Sequence, residues 1–356
     1  MKVGEFGEDR PVIREWTTNP LRMARRSDVL LCVVGATCGK INLGEDCAIG
    51  RSVAAIRPNI TKLNQHYLHY FMMTLVERLR SGSVGAAQTV ISKDMISSVE
   101  IPLPLLPEQQ RIVTLLDEAF DGIATARAHA EKNLQNARAI FESHLQSVFT
   151  QRGDGWAEKR LADVATIING FAFKSGDFSP HAKVLSIKIT NVGVREFVCE
   201  SDSFLPPAFA ETYASFAIKA GSLVIALTRT IISGGLKVAV VPDEFDGALL
   251  NQRVAAILVS PNLLNAQFLF GYLSSRYVFD YVKKHVNTLM QPNLSINDLR
   301  AMPIALPSTI EQARIADRLE VLKEETQRLE AIYQQKRTAL DELKKSLLHR
   351  AFNGDL

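Results

Sequence analysis

The sequence predicts an α+β protein in which two mixed α/β domains are separated by two long helices. Three observations predict it: part of the chain repeats at a fixed interval, two long stretches show helical amphipathic periodicity, and short apolar runs lie between turn residues. The 356 residues are 47% hydrophobic and 22% charged, which is typical of a globular protein. The predicted segments are residues 1–107 and 156–307 as globular domains and residues 108–150 and 308–352 as helices.

The repeat places matching residues 203 positions apart. The matches run through the approach to each helix and its first turn: Gln88 with Gln291, Ser92 with Ser295, Ile101 with Ile304, Pro104 with Pro307, Gln109 with Gln312, and Arg111 with Arg314. The interval still holds at the far end of the helices, where Phe149 matches Phe352. The chain is therefore predicted to hold two copies of one unit, with helices of constant length and globular domains that diverge.

The globular domains are predicted to be mixed in secondary structure. Short β-branched or apolar runs predict strands at residues 29–34, 184–190, 222–228 and 236–241. Aromatic-rich helical patterns occupy residues 263–284 and, in the first copy, residues 65–79. The second copy runs from Trp156 to Gly221 before its first matching strand, whereas the first copy has only the residues before Ser27, so the first domain is expected to be shortened at its start.

The two helical segments follow prolines and carry long apolar stripes. The stripe of the first copy has a period of 3.6 residues: Ile112, Leu116, Ala119, Ile123, Ala126, Ala130, Leu134, Ala137, Phe141, Leu145 and Val148. The stripe of the second copy is close to a heptad seam: Ile315, Leu319, Leu322, Thr326, Leu329, Tyr333, Lys336, Leu340, Leu343 and Leu347. A helix this long must bury its stripe, and pairing the copies as an antiparallel coiled coil is the simplest arrangement. The alternative is two independent helices, each packed on its own domain.

Catalytic and cofactor motifs are largely lacking. The segment Gly35–Lys40 resembles a phosphate-binding loop, but it is one residue short and Ile41 replaces the magnesium-binding Ser or Thr. No Gly-rich dinucleotide loop follows a strand, and no Ser–His–Asp arrangement can be singled out. The chain is therefore predicted to be a non-enzyme with no cofactor.

Metal binding and membrane insertion are not predicted either. A zinc site can be drawn only from residues without CxxC spacing, and core thiols are the favoured interpretation: Cys32, Cys38, Cys47, His66 and His69. No apolar run approaches about 18 residues and the N-terminus lacks a secretory pattern, so no membrane association and a cytoplasmic location are expected. The net charge of +3 excludes a strongly basic tail while allowing local basic surfaces.

The whole pattern resembles the specificity (S) subunit of type I restriction–modification systems. The resemblance rests on two proline-led helix starts, LPLLPEQQRIV at 103–113 and ALPSTIEQARIADRLE at 305–320. Domain landmarks at 155–156, 161–164, 170–175 and 250–254 support it. It implies a DNA-recognition subunit whose two target recognition domains each read half of a split, asymmetric site in double-stranded DNA. It also implies that the paired helices set the gap between half-sites. Two methyltransferase (M) subunits, which bind S-adenosylmethionine, are expected to dock, and motor–nuclease (R) subunits to join them.

Base-reading residues are expected among cations and amides on loops, because Arg and Lys suit guanine while Asn and Gln suit adenine. In the second domain the candidates are Lys174, Arg229, Lys237, Arg253, Gln291 and Asn293. In the first domain they are Lys40, Arg51, Gln88 and Lys93. An ordinary surface or capping role is the alternative for each. For the whole chain, the alternatives are a protein-binding coiled-coil adaptor and a degenerate specificity subunit with only the second domain active.

Overall fold

The computed structural model describes residues 1–82, 90–153, 155–286 and 293–356, which fall into two compact units. The first unit contains Met1–Leu134 and Ala331–Leu356, and the second contains Gln135–Glu330. Two 45-residue helices, Leu106–Thr150 and Thr309–Asn353, each contribute one part to each unit. Both long helices expected from the two stripes are therefore present. No helix in the described part of the chain is long and apolar enough to cross a membrane.

The first unit is built on a three-stranded antiparallel sheet in the order β3-β2-β5, with β1 and β4 paired beside it. A helix, α1, packs on one face of this sheet, where Val29 and Leu31 meet Leu68 and Met72. The elements of its globular part are β1 Met23–Ala24, β2 Val29–Cys32, β3 Ile41–Leu43, β4 Cys47–Ala48, β5 Val53–Ile56, α1 Gln65–Ser81 and α2 Lys93–Ser97, followed by α3 Leu106–Thr150.

The second unit is built on a four-stranded antiparallel sheet in the order β13-β10-β15-β7. Its elements are β6 Ala157–Arg160, α4 Leu161–Val164, β7 Ala165–Asn169, β8 Ser186–Ile187, α5 Ala208–Thr212, β9 Ala217–Ile218, β10 Leu223–Ala226, β11 Ile231–Ile232, β12 Gly235–Leu236, β13 Val238–Val240, β14 Ala248–Leu250, β15 Val254–Val259, α6 Ala266–Leu273, α7 Arg276–His285, α8 Ile296–Ala301, β16 Pro303–Leu306 and α9 Thr309–Asn353. Among described residues, the first unit has no strand paired with β5 in the way that β7 is paired with β15.

The central strand β10 is apolar along its whole length because both faces of the sheet are covered. Leu223 and Ile225 pack in the core that contains Phe268 of α6. Val224 and Ala226 pack in a second core on the opposite face. A strand buried on both sides reads as a continuous apolar run, which is why residues 222–228 were identifiable from the sequence.

Three of the expected elements differ in the structure. The single strand predicted for residues 236–241 is divided into β12 and β13. The single helix predicted for residues 263–284 is two helices, α6 and α7, because α6 ends at Leu273 with Ser274 as its C-cap and the Ser275 side chain caps the start of α7. The strand predicted for residues 184–190 is reduced to β8. Asn191 accepts a hydrogen bond from the Lys188 N–H (2.9 Å) and donates to the Val198 carbonyl (2.8 Å), so a local turn replaces the strand there.

The long helices pair antiparallel in each unit. In the first unit, Arg127 binds Asp341 (2.7 Å) and Glu131 binds Arg337 (3.4 Å). A residue later in α3 is thus paired with a residue earlier in α9, as antiparallel helices require. In the second unit, Arg138 binds Glu330 (2.8 Å). The alternative of two helices packed independently is therefore wrong. Six positions of the predicted stripe of α3 are buried: Ile112, Leu116, Ile123, Ala130, Ala137 and Leu145.

The heptad seam predicted for α9 is only partly correct. Leu329 and Leu343 are 37% and 46% exposed, whereas Thr326 and Leu348 are buried. An α-helix has 3.6 residues per turn, so a strict seven-residue repeat drifts by about 20° per heptad and leaves the contact face.

Equivalent contacts secure each domain to the helices. In the first unit, Phe352 lies 5.0 Å from the ring of Tyr67, and in the second unit Phe149 lies 5.5 Å from the ring of Phe268. Since Phe149 and Phe352 are a matched pair of the repeat, the two packing arrangements are copies of one another. Each domain therefore packs on the end of the helix that belongs to the other copy of the repeat.

Candidate nucleic-acid interface

The second-unit sheet brings loops from four strands to one edge. Because the strands are antiparallel, β7 and β10 end where β13 and β15 begin. Arg229 lies three residues after β10, while Lys237 and Arg253 directly precede β13 and β15. Lys174 follows β7 by five residues. We call these four cations the second basic edge.

Backbone hydrogen bonds hold these loops beside one another. The Leu227 N–H donates to the Arg253 carbonyl (2.9 Å), and the Ala226 N–H donates to the Lys237 carbonyl (3.1 Å). The side-chain oxygen of Asn293 accepts from the Arg229 N–H (3.3 Å). Five of the six predicted residues of this domain are thus brought to the same edge of the sheet, and the sixth, Gln291, lies outside the described residues.

The cations of the second basic edge lack acidic partners among the described residues. Lys174, Arg229 and Arg253 are exposed, and no carboxylate of the described residues lies within ion-pair distance of them. Elsewhere in the same unit, Arg276 is paired with Asp280. A group of unpaired cations at one edge is an electrostatic feature suited to a polyanion.

Lys237 differs from the other three because it is partly buried. Its ammonium donates to the Ile189 carbonyl (2.8 Å). Burial, and then the nearby charge of Arg229, lower the pKa of Lys237 below its ordinary value. Because this ammonium has lost part of its hydration, an ion pair with a negatively charged ligand at the edge would be more favourable for Lys237 than for an exposed lysine.

The backbone of Arg229 is in the left-handed region, with φ of 49°. A non-glycine residue outside the Asn and Asp class rarely adopts this conformation, and such residues concentrate at functional positions. The next residue, Thr230, is fully buried, and its hydroxyl has no hydrogen-bond partner among the described atoms. The local conformation therefore costs free energy while it presents a guanidinium to solvent.

The first unit has an equivalent edge. The Cys32 N–H donates to the Lys40 carbonyl (2.8 Å), as the Ala226 N–H does to that of Lys237. The Val33 N–H donates to the Ser52 carbonyl (2.9 Å), which corresponds to the bond from Leu227 to Arg253. Lys40 is therefore the positional equivalent of Lys237.

Two other predicted residues, Arg51 and Lys93, lie at the same edge. We call these two residues and Lys40 the first basic edge. Arg51 directly precedes Ser52, and Lys93 follows Ile91, whose N–H donates to the Val33 carbonyl (2.9 Å). Both are exposed, as is Lys40, and none of the three has a carboxylate partner among the described residues. Gln88 lies outside the described residues.

One basic residue near the second basic edge was missed from the sequence. Lys188 lines a pocket together with Phe178 and Arg253. Its ammonium donates to the Ser203 hydroxyl (2.8 Å), pairs with Asp202 (3.4 Å) and lies 5.3 Å from the centre of the Phe178 ring. Its position inside a predicted strand concealed it, because the chain actually turns there.

The residues considered for other chemistry have structural roles. The Gly35–Lys40 segment is a turn between β2 and β3. Cys32, Cys38 and Cys47 are buried free thiols, which supports the core-thiol interpretation. No group of three or more His, Cys, Asp or Glu suited to a metal ion occurs in the described part of the chain.

Comparisons with known proteins agree on one family. The family described as "Type I restriction modification DNA specificity domain" matches residues 24–134 and 153–336. The MjaVIII specificity subunit of a type I restriction enzyme from Methanocaldococcus jannaschii is 27% identical over 354 residues, covering 95% of this chain and 81% of that protein.

Solved structures share the fold. A chain from a study of complex assembly and conformational transition of the type I R-M system matches with a TM-score of 0.78 at 19% identity, covering 95% of this chain and 85% of that one. The HsdS subunit from Thermoanaerobacter tengcongensis matches with a TM-score of 0.61 at 20% identity, covering 95% and 84%. The present chain belongs to the family of type I restriction–modification specificity subunits, the non-catalytic components of such systems.

Proposed function

We propose that this subunit reads a bipartite, asymmetric DNA sequence. Residues 1–107 and 156–307 serve as target recognition domains, and helices 108–150 and 308–352 serve as the spacer between half-sites. The observation that carries the proposal is the occurrence of a basic edge at the same place in each copy of the repeat. Two readers related by a repeat, attached to helices of constant length, are suited to two half-sites at a fixed interval.

The second basic edge supplies groups of the kinds that direct readout uses. Arg229 and Arg253 can each present two donors to guanine, and Asn293 can pair with adenine. Gln291 is proposed for adenine on the sequence argument alone. Lys174 and Lys237 are suited to phosphate contacts that fix the register on the duplex.

The first basic edge offers different chemistry at equivalent positions. Gly35 stands where the second copy has Arg229, and Ser52 stands where it has Arg253. Lys40, Arg51, Lys93 and Gln88 remain as candidate contacts. Because the side chains differ at positions that the fold makes equivalent, the two half-sites are expected to differ in sequence.

The helices are the proposed docking surface for two methyltransferase subunits, and through them for motor–nuclease subunits. Apolar side chains on the helices stay exposed although the helices are paired: Ile140, Val321, Leu329, Ile332 and Leu343. Exposed apolar residues that a pair of helices does not use are available to protein partners. S-adenosylmethionine chemistry would then belong to those partners.

Mapping of adenine methylation in host DNA, with and without this gene, tests the proposal. A two-part asymmetric motif should be methylated only when the gene is present, and the Arg229→Ala variant should relax bases in one half only. Methylation of a single-part motif would favour the degenerate subunit with one active domain. The alternative of a protein-binding adaptor would be favoured by two results together. No methylated motif would depend on the gene, and the complex would bind target and scrambled DNA equally at every salt concentration.

A further inference from the structure

Two cations of the second basic edge, Arg229 and Lys237, belong to one hairpin. Arg229 precedes β11 and Lys237 follows β12, and these strands pair through Ile231 with Leu236. The base of the hairpin is closed by the Lys237 N–H, which donates to the Thr230 carbonyl (2.9 Å). The direction in which both cations point is therefore set by whatever holds this hairpin.

A loop at residues 193–196 supports the hairpin. A Cβ atom added at Gly235 would lie 3.2 Å from Cγ1 of Val194, so the hairpin backbone packs directly against this loop. Val194 also forms a parallel bridge with Val238, and the Arg195 N–H donates to the Val238 carbonyl (2.9 Å). The loop thus contacts both the turn of the hairpin and the strand that follows Lys237.

The side chain of Arg195 ties this loop to the long helix α3. Its guanidinium forms an ion pair with Glu142 and lies 5.4 Å from the centre of the Phe141 ring. Only 28% of the Arg195 side chain is exposed. Its backbone has φ of 59°, so this is a second non-glycine residue held in the left-handed region.

We propose that Arg195 is a positioning residue that fixes the second basic edge relative to α3, and that it thereby sets how strictly the subunit measures the gap between half-sites. The inference rests on the bipartite reading proposed above and adds to it a residue that touches no DNA. Through Val194 and Val238, Arg195 orients the hairpin that carries Arg229 and Lys237. A hairpin that turns more easily on the helix would accept half-sites at neighbouring separations.

The test uses the complete complex with its methyltransferase subunits and a set of duplexes whose half-sites are separated by the native gap or by one base pair more or fewer. For Arg195→Ala, the preference for the native gap should fall about three- to tenfold, as expected for loss of a partly buried ion pair and a cation–π contact. Affinity for a duplex with only the second half-site should stay within about twofold, since the reading residues are unchanged. Arg195→Lys should retain most of the preference.

Glu142→Gln tests the same contact from the helix and carries the test if Arg195→Ala does not fold. Arg314→Ala is the matched control, because it removes an exposed ion pair with Glu311 within α9. Unchanged gap preference in both Arg195→Ala and Glu142→Gln would overturn the inference. Equal loss on full and single half-site duplexes would also overturn it, since Arg195 would then be needed only for folding. Absence of any gap preference in the unaltered complex would instead refute the bipartite reading itself.

Discussion

Arg229 in the second domain occupies the position that Gly35 occupies in the first. Arg229 lies two residues after Leu227, whose N–H donates to the Arg253 carbonyl, and Gly35 lies two residues after Val33, whose N–H donates to the Ser52 carbonyl. The backbone angle φ is positive at both positions, 49° at Arg229 and 92° at Gly35. Glycine adopts this conformation without a steric penalty, whereas arginine does so at a cost of about 1–2 kcal/mol. The fold thus requires a left-handed backbone at this position in both domains. The first domain has glycine there, and the second domain has the more strained arginine.

Arg229→Gly is accordingly expected to stabilise the protein and weaken recognition together. The free energy of unfolding should rise by about 1 kcal/mol as the left-handed strain is relieved. Discrimination at one base pair of the second half-site should fall by about 1–3 kcal/mol, because the proposed two-donor contact of Arg229 to guanine would be lost. Denaturant unfolding and competition binding measure the two effects. A variant that is both less stable and fully specific would contradict this role.

The proposed phosphate contacts at the basic edges predict a change in the salt dependence of DNA affinity. For Lys174→Ala, the slope of log affinity against log salt should decrease by about 1, with little change in sequence preference. Lys219→Ala is the matched control: Lys219 is an exposed lysine in the same unit, but it lies near the opposite end of β10. Equal slopes for the two variants would show that DNA phosphates do not bind preferentially at the basic edge.

A buried glutamine explains the repeated helix start. The Gln109 side chain is fully buried, accepts from the Asn64 N–H (2.8 Å) and donates to the Lys62 and Pro104 carbonyls (both 2.8 Å). Gln312 makes the matching bonds in the second unit with Asn265, Leu263 and Pro307 (2.9–3.1 Å). The motif that identified the family therefore joins each helix to the loop before α1 or α6.

Replacing this glutamine should be costly. Gln109→Ala leaves one N–H and two carbonyls without partners and is expected to lower the free energy of unfolding by about 2–4 kcal/mol. Gln335→Ala, at an exposed position on α9, should change it by less than about 0.5 kcal/mol. Denaturant unfolding of the two variants side by side is the measurement, and similar stabilities would refute a structural role for the motif.

The sequence could predict whatever depends on local pattern. The stripe from Ile112 to Leu145 follows helical periodicity, and the loop position of Arg229 follows from the end of the apolar run at residues 222–228. The remainder depends on tertiary contacts. Lys188 was missed because Asn191 turns the chain inside an apparent strand. Arg195 was missed because its partner, Glu142, is 53 residues away in the chain.

One histidine predicts how the stability of the first unit depends on pH. His69 on α1 is only 8% exposed, and burial, followed by the charge of His66, lowers the pKa of His69 to about 4. The unfolded chain binds a proton near pH 6.5 and the folded one does not, so the contribution of neutral His69 is complete above about pH 6.5 and is lost as the pH falls toward 4. The loss should approach about 3 kcal/mol. His69→Leu should flatten this part of the curve, measured by denaturant unfolding between pH 7 and pH 4, whereas His129→Leu, an exposed position on α3, should leave it unchanged. If the free energy of unfolding of His69→Leu still fell between pH 7 and pH 4 as in the unaltered protein, the pH dependence would belong to other groups.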